Sequence, residues 1–207
     1  MSLPLLQNFI DGIFIPAATD ATFDVVDPRT EQVVAQCPLS GPADVDAAYD
    51  AALKAFESWR LTTPAERQRL LLRLADALEA NADRLVEAQR RNTGQLAEMI
   101  RAEEVMTGAS QLRFFAGAAR IQSGVASGEY AEGLNSQIRR EPIGVVGQIV
   151  PWNYPFMMLI WKVGPALAAG NTVVLKPSAN TPESAVVFAE IASEILAWGL
   201  QPGARHR

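Results

Sequence analysis

The stretch from residue 140 to 182 constrains the fold most strongly, because two short apolar runs in it flank a longer helical one. The first run, Ile143–Val150, is rich in Val and Ile and lies between Pro142 and Pro151. This composition favours a strand that is buried on both faces. The second run, Thr172–Leu175, predicts another buried strand.

A helix is predicted between the two strands. Pro155 suits the first turn of a helix, where its missing N–H costs nothing, and Phe156–Ala169 continues the helix up to Gly170 as a left-handed stop. After the second strand, Thr181 is predicted to cap a further helix, with Pro182 and Glu183 in its first turn.

The order strand, helix, strand, helix requires the two strands to run parallel. Open parallel sheets bind ligands in the crevice at the carboxyl ends of their strands. Asn153 follows the first strand and Lys176 ends the second. We therefore expect an amide and an ammonium group at one crevice.

The chain before this unit predicts two hairpins and then four helices. Asp11-Gly12 between two short apolar runs is a strong hairpin signal. The second predicted hairpin pairs Phe23–Val26 with Gln32–Ala35. The predicted helices are Ala43–Trp59, a helix capped at Thr63 that runs to about Asn81, a helix from Ala82 to about Gly94, and Leu96–Ile121 with an interruption around Gly108–Ser110. Ser123–Glu141 is either a loop or extended strands outside the core.

Composition and charge bound the class of protein. With 207 residues, 49% apolar and 20% charged, the chain can bury one large core or two small ones. A net charge of −5 without a basic stripe argues against nucleic-acid binding. No signal-peptide pattern opens the chain, and no apolar run reaches the ~20 residues of a membrane span. We expect a cytoplasmic protein.

The only cysteine is Cys37 and the only histidine is His206, near the last residue. An internal disulfide is excluded, and these residues supply no Ser-His-Asp, Cys-His or metal-ligand cluster. Cys37 lies in an apparent strand without a nearby histidine, which favours a buried structural thiol over a nucleophile.

Four segments closely resemble the aldehyde dehydrogenase superfamily. They are Pro151–Pro155 (PWNYP), Trp161-Lys162, Pro165–Asn171 and Val174–Ser178. The resemblance covers the N-terminal portion of the family. It implies an α/β fold in which N-terminal helices and hairpins join an incomplete Rossmann-like parallel sheet, with the catalytic domain absent from the chain.

The resemblance also implies a division of the chain. Residues 1–122 would form the hairpins and helices of the cofactor domain, 123–141 an oligomerisation arm, 142–198 the first βαβα unit of the NAD(P)-binding sheet, and 199–207 an atypical tail. Gly128–Tyr130 followed by Arg139–Pro142, together with the Trp-Asn-Tyr-Pro sequence, most resembles the betaine-aldehyde and aminoaldehyde branches.

The family's site residues can be carried over by position. Asn153 matches the amide of the oxyanion hole, although an Asn that bonds its own turn is the alternative. Lys176 matches the ammonium that binds the adenosine ribose. The segment that lines the cofactor cleft is matched by Ile149, Val150, Pro151 and Trp152. Ala179 stands where the family commonly has a Glu that binds the ribose 2′-hydroxyl, which leaves NAD or NADP open as cofactor.

The substrate tunnel of the family is matched by Tyr154, Met158 and Trp161, which share one side of the predicted helix. Simple packing in the core is the alternative for these three residues. Lys162 matches a lysine near the tunnel entrance, and a solvated surface lysine is the equal alternative.

The family's chemistry requires a cysteine thiolate that attacks the aldehyde and a glutamate that activates water. Neither has a match in the chain. The leading interpretation is a truncated NAD(P)-dependent aldehyde dehydrogenase, inactive by itself, whose intact relatives oxidise an aldehyde to its acid through a Cys thiohemiacetal. The alternative is a non-catalytic module that docks onto full-length relatives through Ser123–Glu141, as a homo- or hetero-oligomer. A stand-alone nucleotide-binding domain ranks last, because two parallel strands leave an unpaired apolar edge.

The tail departs from the family's sequence. One permissible codon spelling of Gly199–Arg207, read one base later, encodes Val-Tyr-Asn-Leu-Val-Pro-Gly-Ile, the strand that the family has at this point. We therefore hypothesise that a frameshift produced the tail.

Overall fold

The computed structural model describes residues 3–121 and 127–199. The strands are β1 Asn8–Ile10, β2 Ile13–Ile15, β3 Thr22–Asp27, β4 Gln32–Pro38, β5 Gly128–Ala131, β6 Leu134–Ser136, β7 Val145–Ile149 and β8 Thr172–Lys176. The helices are α1 Pro42–Trp59, α2 Pro64–Ala80, α3 Ala82–Thr93, α4 Ala97–Met99, a π-helical segment Ile100–Met106, α5 Thr107–Ala118, α6 Pro155–Ala168 and α7 Glu183–Gly199.

Both predicted N-terminal hairpins are confirmed. In the first, β1 and β2 pair antiparallel around Asp11 and Gly12, whose φ angles of 52° and 83° are those of a turn that needs two left-handed residues. In the second, β3 pairs antiparallel with β4, and the register shifts between Val25 and Val26.

The capping box at the start of α2 is also confirmed. The Thr63 N–H donates to the Glu66 Oε2 at 2.7 Å, and the Glu66 N–H donates to the Thr63 Oγ1 at 3.2 Å. Pro64 occupies the first turn of the helix. The reciprocal bonds satisfy two backbone donors that the helix itself cannot.

The predicted helix over Leu96–Ile121 is confirmed as a helical stretch, but its interruption lies elsewhere. The irregular part is the π-helical segment Ile100–Met106, whereas Gly108 lies in regular α5. A Cβ on Gly108 would stand 3.3 Å from side-chain atoms of Ile160 and Phe156. The small residue therefore marks the close approach of α5 to α6 rather than a break in the helix.

The hydrophobic core lies among α2, α5, α6 and α7. Its fully buried large apolar side chains are Leu70, Leu71, Leu74, Leu78, Leu85, Ile100, Leu112, Phe156, Leu159 and Ile160. α6 supplies three of these, so the helix that joins the two parallel strands is held firmly against the helical layer. Among helices of the described residues, none has the length and apolarity to cross a lipid bilayer.

The sheet that the sequence predicts is present, and its strands are parallel. β7 pairs with β8 in register from Val145 opposite Thr172 to Ile149 opposite Lys176. The prediction that the first strand is buried on both faces is wrong, because Ile149 is 73% exposed. Within the described residues this sheet has only two strands, and Gly147 and Ile149 of β7 are exposed.

The start of α7 differs from the prediction. Pro182, not Thr181, takes the capping position, because its carbonyl accepts the first helical bonds from Ala185 and Val186. The Glu183 N–H donates instead to the Asn92 Oδ1 of α3 at 3.0 Å. A side chain from another helix thus replaces the predicted local cap.

Part of the predicted arm is a hairpin. β5 pairs antiparallel with β6, and the side chains of β6 are exposed. This resolves the choice between loop and strands in favour of strands for residues 128–136. Residues 123–126 of the predicted arm and residues 200–207 of the tail, on which the frameshift hypothesis rests, lie outside the described residues.

Candidate functional site

The carboxyl ends of β7 and β8 form one rim. Ile149 is the register partner of Lys176, and the Val150 N–H donates to the Lys176 carbonyl at 3.2 Å. Asn153 follows three residues later, and both Asn153 and Lys176 are exposed. The register brings the ends of both strands to the same edge of the sheet, and the expectation that the amide and the ammonium group share one crevice stays a prediction.

The Lys176 ammonium is available to a ligand. Within the described residues, its Nζ donates a 3.2 Å hydrogen bond to the neighbouring Pro177 carbonyl, at an exposed position. Ala179 is exposed nearby and contributes only a methyl group. The rim therefore offers a positive charge without a carboxylate at position 179.

Asn153 is held by a hydrogen bond to its backbone carbonyl, not by its side chain. Its carbonyl accepts a hydrogen bond from the Gln95 Nε2 at 3.4 Å. Within the described part of the chain, its side-chain amide makes no hydrogen bond, so the alternative of an Asn bonded to its own turn is not observed. The amide is free to donate to a ligand.

The segment before Asn153 presents mixed surfaces. Ile149, Pro151 and Trp152 are exposed, whereas Val150 is buried. Three of the four residues predicted to line a cofactor cleft therefore have accessible side chains, whereas Val150 is 3% exposed and its N–H is bonded to the Lys176 carbonyl.

A cleft of about 470 Å³ adjoins this rim. Trp152 and Asn153 line it together with Val26 of β3, Asn92 of α3 and Thr181. The Asn92 Nδ2 and the Thr181 Oγ1 are buried polar atoms without a hydrogen-bond partner in the described residues. Buried polar groups are rarely unpaired, so the inner part of the cleft is suited to water or a polar ligand.

The outer side of α6 carries the residues predicted for a substrate tunnel. Tyr154 is 38% exposed and Trp161 is 47% exposed, while Met158 is half-buried. The alternative of simple core packing therefore does not hold for the two aromatic residues. Lys162 is half-buried, and its carbonyl accepts a 2.8 Å bond from the Gln148 Nε2 of β7.

Three polar residues behind the rim were not predicted as part of the site. Glu104 of the π segment accepts hydrogen bonds from the N–H groups of Phe156 and Met157 at 3.2 Å each. Gln89 of α3 contacts the same carboxylate, and Gln95 continues the chain of bonds to Asn153. The sequence signal that could have revealed them is a polar residue at a position where the helical pattern of apolar residues predicts burial.

The electrostatics of Glu104 reflect its position. Burial raises the pKa of the Glu104 carboxyl, and hydrogen bonds from Met157, Gln89 and Phe156 act in the opposite direction. Each of these partners donates to the carboxylate. The site therefore holds the carboxyl group as an acceptor.

Cys37 has the properties of a structural thiol. Burial raises the pKa of the thiol to about 11, although the charge of Lys176 lowers it. The nucleophilic form of cysteine is the thiolate, which is scarce at neutral pH for such a group. Among the described residues, no group of three or more His, Cys, Asp or Glu side chains is placed to hold a metal ion.

Comparisons with known proteins agree on one family. The sequence profile of the Aldehyde dehydrogenase family matches residues 14–205. An aldehyde dehydrogenase from Alternaria alternata is 41% identical over 196 residues, which are 94% of this chain and 39% of that protein.

Solved structures give the same result. A Burkholderia cenocepacia protein assigned to the aldehyde dehydrogenases matches with a TM-score of 0.88 and 46% identity, over 92% of this chain and 39% of its own. The NAD⁺ complex of an aldehyde dehydrogenase from Bacillus cereus matches with a TM-score of 0.87 and 36% identity, over the same shares. The chain spans about two fifths of the length of these relatives, and it belongs to the aldehyde dehydrogenase family.

Proposed function

We propose that this chain forms one wall of the NAD(P) cleft, and the oxyanion amide, of an enzyme that oxidises an aldehyde to a carboxylic acid. The observation that carries the proposal is the register of the parallel pair. It sets Ile149 opposite Lys176 and brings Asn153 and the lysine to one exposed rim. This is the edge at which open parallel sheets bind nucleotides.

Each rim residue has a role in this reaction. The free side-chain amide of Asn153 donates to the oxygen of the aldehyde as negative charge develops on it, and such a donor lowers the barrier by about 3 to 4 kcal/mol. Lys176 binds the ribose hydroxyls of the cofactor. The backbone of Ile149–Trp152 lines the cleft.

Both NAD and NADP fit the rim as the structure has it. A carboxylate near the ribose repels a 2′-phosphate, and Ala179 supplies none. The exposed Lys176 ammonium attracts either cofactor. The bound nicotinamide group would supply the hydride acceptor.

We propose further that the 207-residue chain does not turn over alone. The reaction needs a thiolate, and the one cysteine is Cys37, whose pKa is raised by burial to about 11. The test is aldehyde-dependent formation of NAD(P)H by the pure chain. Turnover that the Cys37→Ala substitution abolishes would contradict the proposal.

Cofactor binding is tested by titrating the isotope-labelled chain with NAD and NADP at millimolar concentration and following backbone NMR signals. We expect shifts confined to Ile149–Trp152 and Lys176, and weaker shifts in a Lys176→Met variant. Lys54→Met, an exposed lysine of α1, is the matched control. An absence of shifts at the rim would overturn the proposed cleft.

We propose a substrate with an amino or quaternary ammonium group, as in the betaine-aldehyde and aminoaldehyde branches. The support is the exposure of Tyr154, at the N-cap of α6, and of Trp161 on α6, because aromatic faces attract cations. Saturation-transfer NMR with glycine betaine and with acetate tests the idea. We expect saturation transfer to the betaine methyl groups, and a weaker transfer in Trp161→Leu. Equal transfer in Trp161→Leu and in the unmodified chain would contradict the proposal.

A second candidate function is docking onto a longer member of the family through the β5–β6 hairpin. The observation that favours it is the exposure of Tyr130 at 75% and Leu134 at 65%. Size-exclusion chromatography of the chain with and without a full-length relative tests it. We expect co-elution that the double substitution Tyr130→Ser, Leu134→Ser abolishes, whereas separate elution of the unmodified chain would exclude docking.

A further inference from the structure

The buried carboxylate of Glu104 lies at the N-terminus of α6, directly behind the candidate site. Glu104 and Gln89 are each 1% exposed, although both are polar. Carboxylates are almost never buried to this extent unless they are paired. The burial of Glu104 therefore has to be explained by the groups that the carboxylate contacts.

Both oxygens of Glu104 are occupied by donors. Oε2 accepts from the N–H groups of Phe156 and Met157, at 3.2 Å in each case, and Oε1 accepts from the Gln89 Nε2. The Gln89 Oε1 in turn accepts from the Phe156 N–H at 3.3 Å. First-turn amides of a helix have no acceptor within the helix, so these bonds satisfy them. A negative charge at this end also complements the helix dipole.

The same network reaches the other side of Pro155. The Gln89 Nε2 donates to the Gln95 Oε1 at 3.1 Å, and the Gln95 Nε2 donates to the Asn153 carbonyl at 3.4 Å. The turn that carries Asn153 is therefore held at both ends. One end is the first turn of α6, and the other is the carbonyl of Asn153 itself.

The partners of Glu104 require a group that only accepts hydrogen bonds. Each bond that the carboxylate makes here comes from a donor, namely Gln89, Phe156 or Met157. A glutamine side chain would turn an N–H₂ group toward one of these donors. Glu103, its neighbour on the π segment, is exposed and makes no such contact in the described residues.

We propose that Glu104 is a positioning residue that sets the orientation of the Asn153 amide, through the first turn of α6 and the Gln89–Gln95 bridge. This inference rests on the proposed role of Asn153 as the oxyanion donor. Glu104 itself touches neither substrate nor cofactor.

The test uses the full 207-residue chain, isotope-labelled, in the variants Glu104→Gln and Glu103→Gln. We expect the amide protons of Phe156 and Met157 to exchange with solvent about ten- to a hundredfold faster in Glu104→Gln, since hydrogen bonds to a charged group are lost. The side-chain amide signals of Asn153 shift in the same variant. Glu103→Gln leaves all of these signals unchanged, and unchanged signals in Glu104→Gln would overturn the proposal.

A third variant separates the two branches of the network. Gln95→Leu removes the bond from the Gln89 Nε2 and the bond to the Asn153 carbonyl, and it leaves the bonds between Glu104 and the N–H groups of Phe156 and Met157 in place. We expect it to shift the Asn153 side-chain signals while the exchange of Phe156 and Met157 stays as in the unmodified chain. Unaltered Asn153 signals would exclude the bridge.

If Glu104→Gln does not fold, hydrogen exchange of the unmodified chain still tests the proposal. The amides of Phe156 and Met157 should exchange more slowly than that of Ala65, an exposed first-turn residue of α2. Equal rates would overturn the proposal. Because no cofactor or aldehyde is present, these results are independent of the NAD(P) titration that judges the proposed function.

Discussion

The two ends of the parallel β7–β8 pair differ in how they are held. At the amino end, the Asn171 Oδ1 accepts from the N–H groups of Ile143 and Gly144 at 2.7 and 3.1 Å, and the Thr172 Oγ1 donates to the Ala52 carbonyl of α1 at 2.9 Å. At the carboxyl end, the Lys176 and Asn153 side chains stand in solvent. The side chains at the amino end are thus tied to neighbouring elements, whereas Asn153 and Lys176 at the carboxyl end are accessible to ligands.

The largest expected effect is at the amino end, in a buried arginine. Arg67 of α2 donates from Nε to the Ala168 carbonyl at 2.8 Å and from Nη1 to the Thr62 carbonyl. Arg67→Met would leave these carbonyls without donors and should lower the free energy of unfolding by about 2 to 4 kcal/mol. Urea denaturation of Arg67→Met against Arg69→Met, whose arginine is exposed on the same helix, measures the effect. Similar losses in both variants would contradict it.

The next effect concerns the contact that holds α6 against the helical layer. A Cβ on Gly164 would stand 2.7 Å from the Phe115 Cδ2, whereas a Cβ on Gly117 of α5 would meet nothing within 4 Å. Gly164→Ala should therefore destabilise by about 1 to 3 kcal/mol through overpacking. Gly117→Ala should stabilise by about 0.5 to 1 kcal/mol, since alanine favours a helix over glycine. Thermal unfolding measures both changes in stability. A change of the same sign in both variants would contradict the close approach of Gly164 to Phe115.

A smaller effect is expected in the pH dependence of stability, through the start of α1. N–H groups of Ala18 and Gly41 donate to Asp44 and hold the pKa of its carboxyl below the ordinary value. A depressed pKa in the folded state means that this stabilisation is present above the ordinary pKa and is lost as the pH falls through the folded value. Urea midpoints from about pH 5 to about pH 2 should therefore fall less steeply in Asp44→Asn. The exposed Asp46→Asn gives the matched comparison, and identical slopes would contradict the assignment.

The smallest effect on stability is expected at the carboxyl end. Asn153→Ala and Lys176→Ala remove exposed side chains, and the one hydrogen bond lost is that of the Lys176 Nζ to the neighbouring Pro177 carbonyl, so the free energy of unfolding should change by less than about 0.5 kcal/mol. The same variants should lose the NMR shifts that NAD(P) produces at the rim. A large loss of stability in either variant would mean that the rim is structural rather than open to ligands.

Local patterns predicted most of the fold, because the bonds that form it are local. The Asp11-Gly12 turn and the Thr63–Glu66 capping box depend on neighbours within a few residues, and both predictions are confirmed. The parallel pairing of β7 with β8 followed from the helix between them and is also confirmed.

The predictions that failed concern residues whose contacts come from a distant part of the chain. Asn92 takes over the cap predicted for Thr181, although 91 positions separate Asn92 from its partner Glu183. The exposure of Ile149 depends on what packs over the face of β7 rather than on the sequence of the strand. Gln89, Gln95 and Glu104 were missed for the same reason. The roles of Asn153, Lys176 and the α6 aromatics rest on the resemblance and stay predictions.

The π-helical segment has a consequence for insertions and deletions. A π turn contains more residues than an α turn, and such a bulge accommodates one extra residue within a helix. Deleting one residue between Ile100 and Glu104 would therefore return the segment to α-helical winding while α5 keeps its orientation, and only positions inside the segment, Glu104 among them, would change direction. Glu104 would then lose its hydrogen bonds to the first turn of α6, although the sequence of β7, α6 and β8 stayed unaltered.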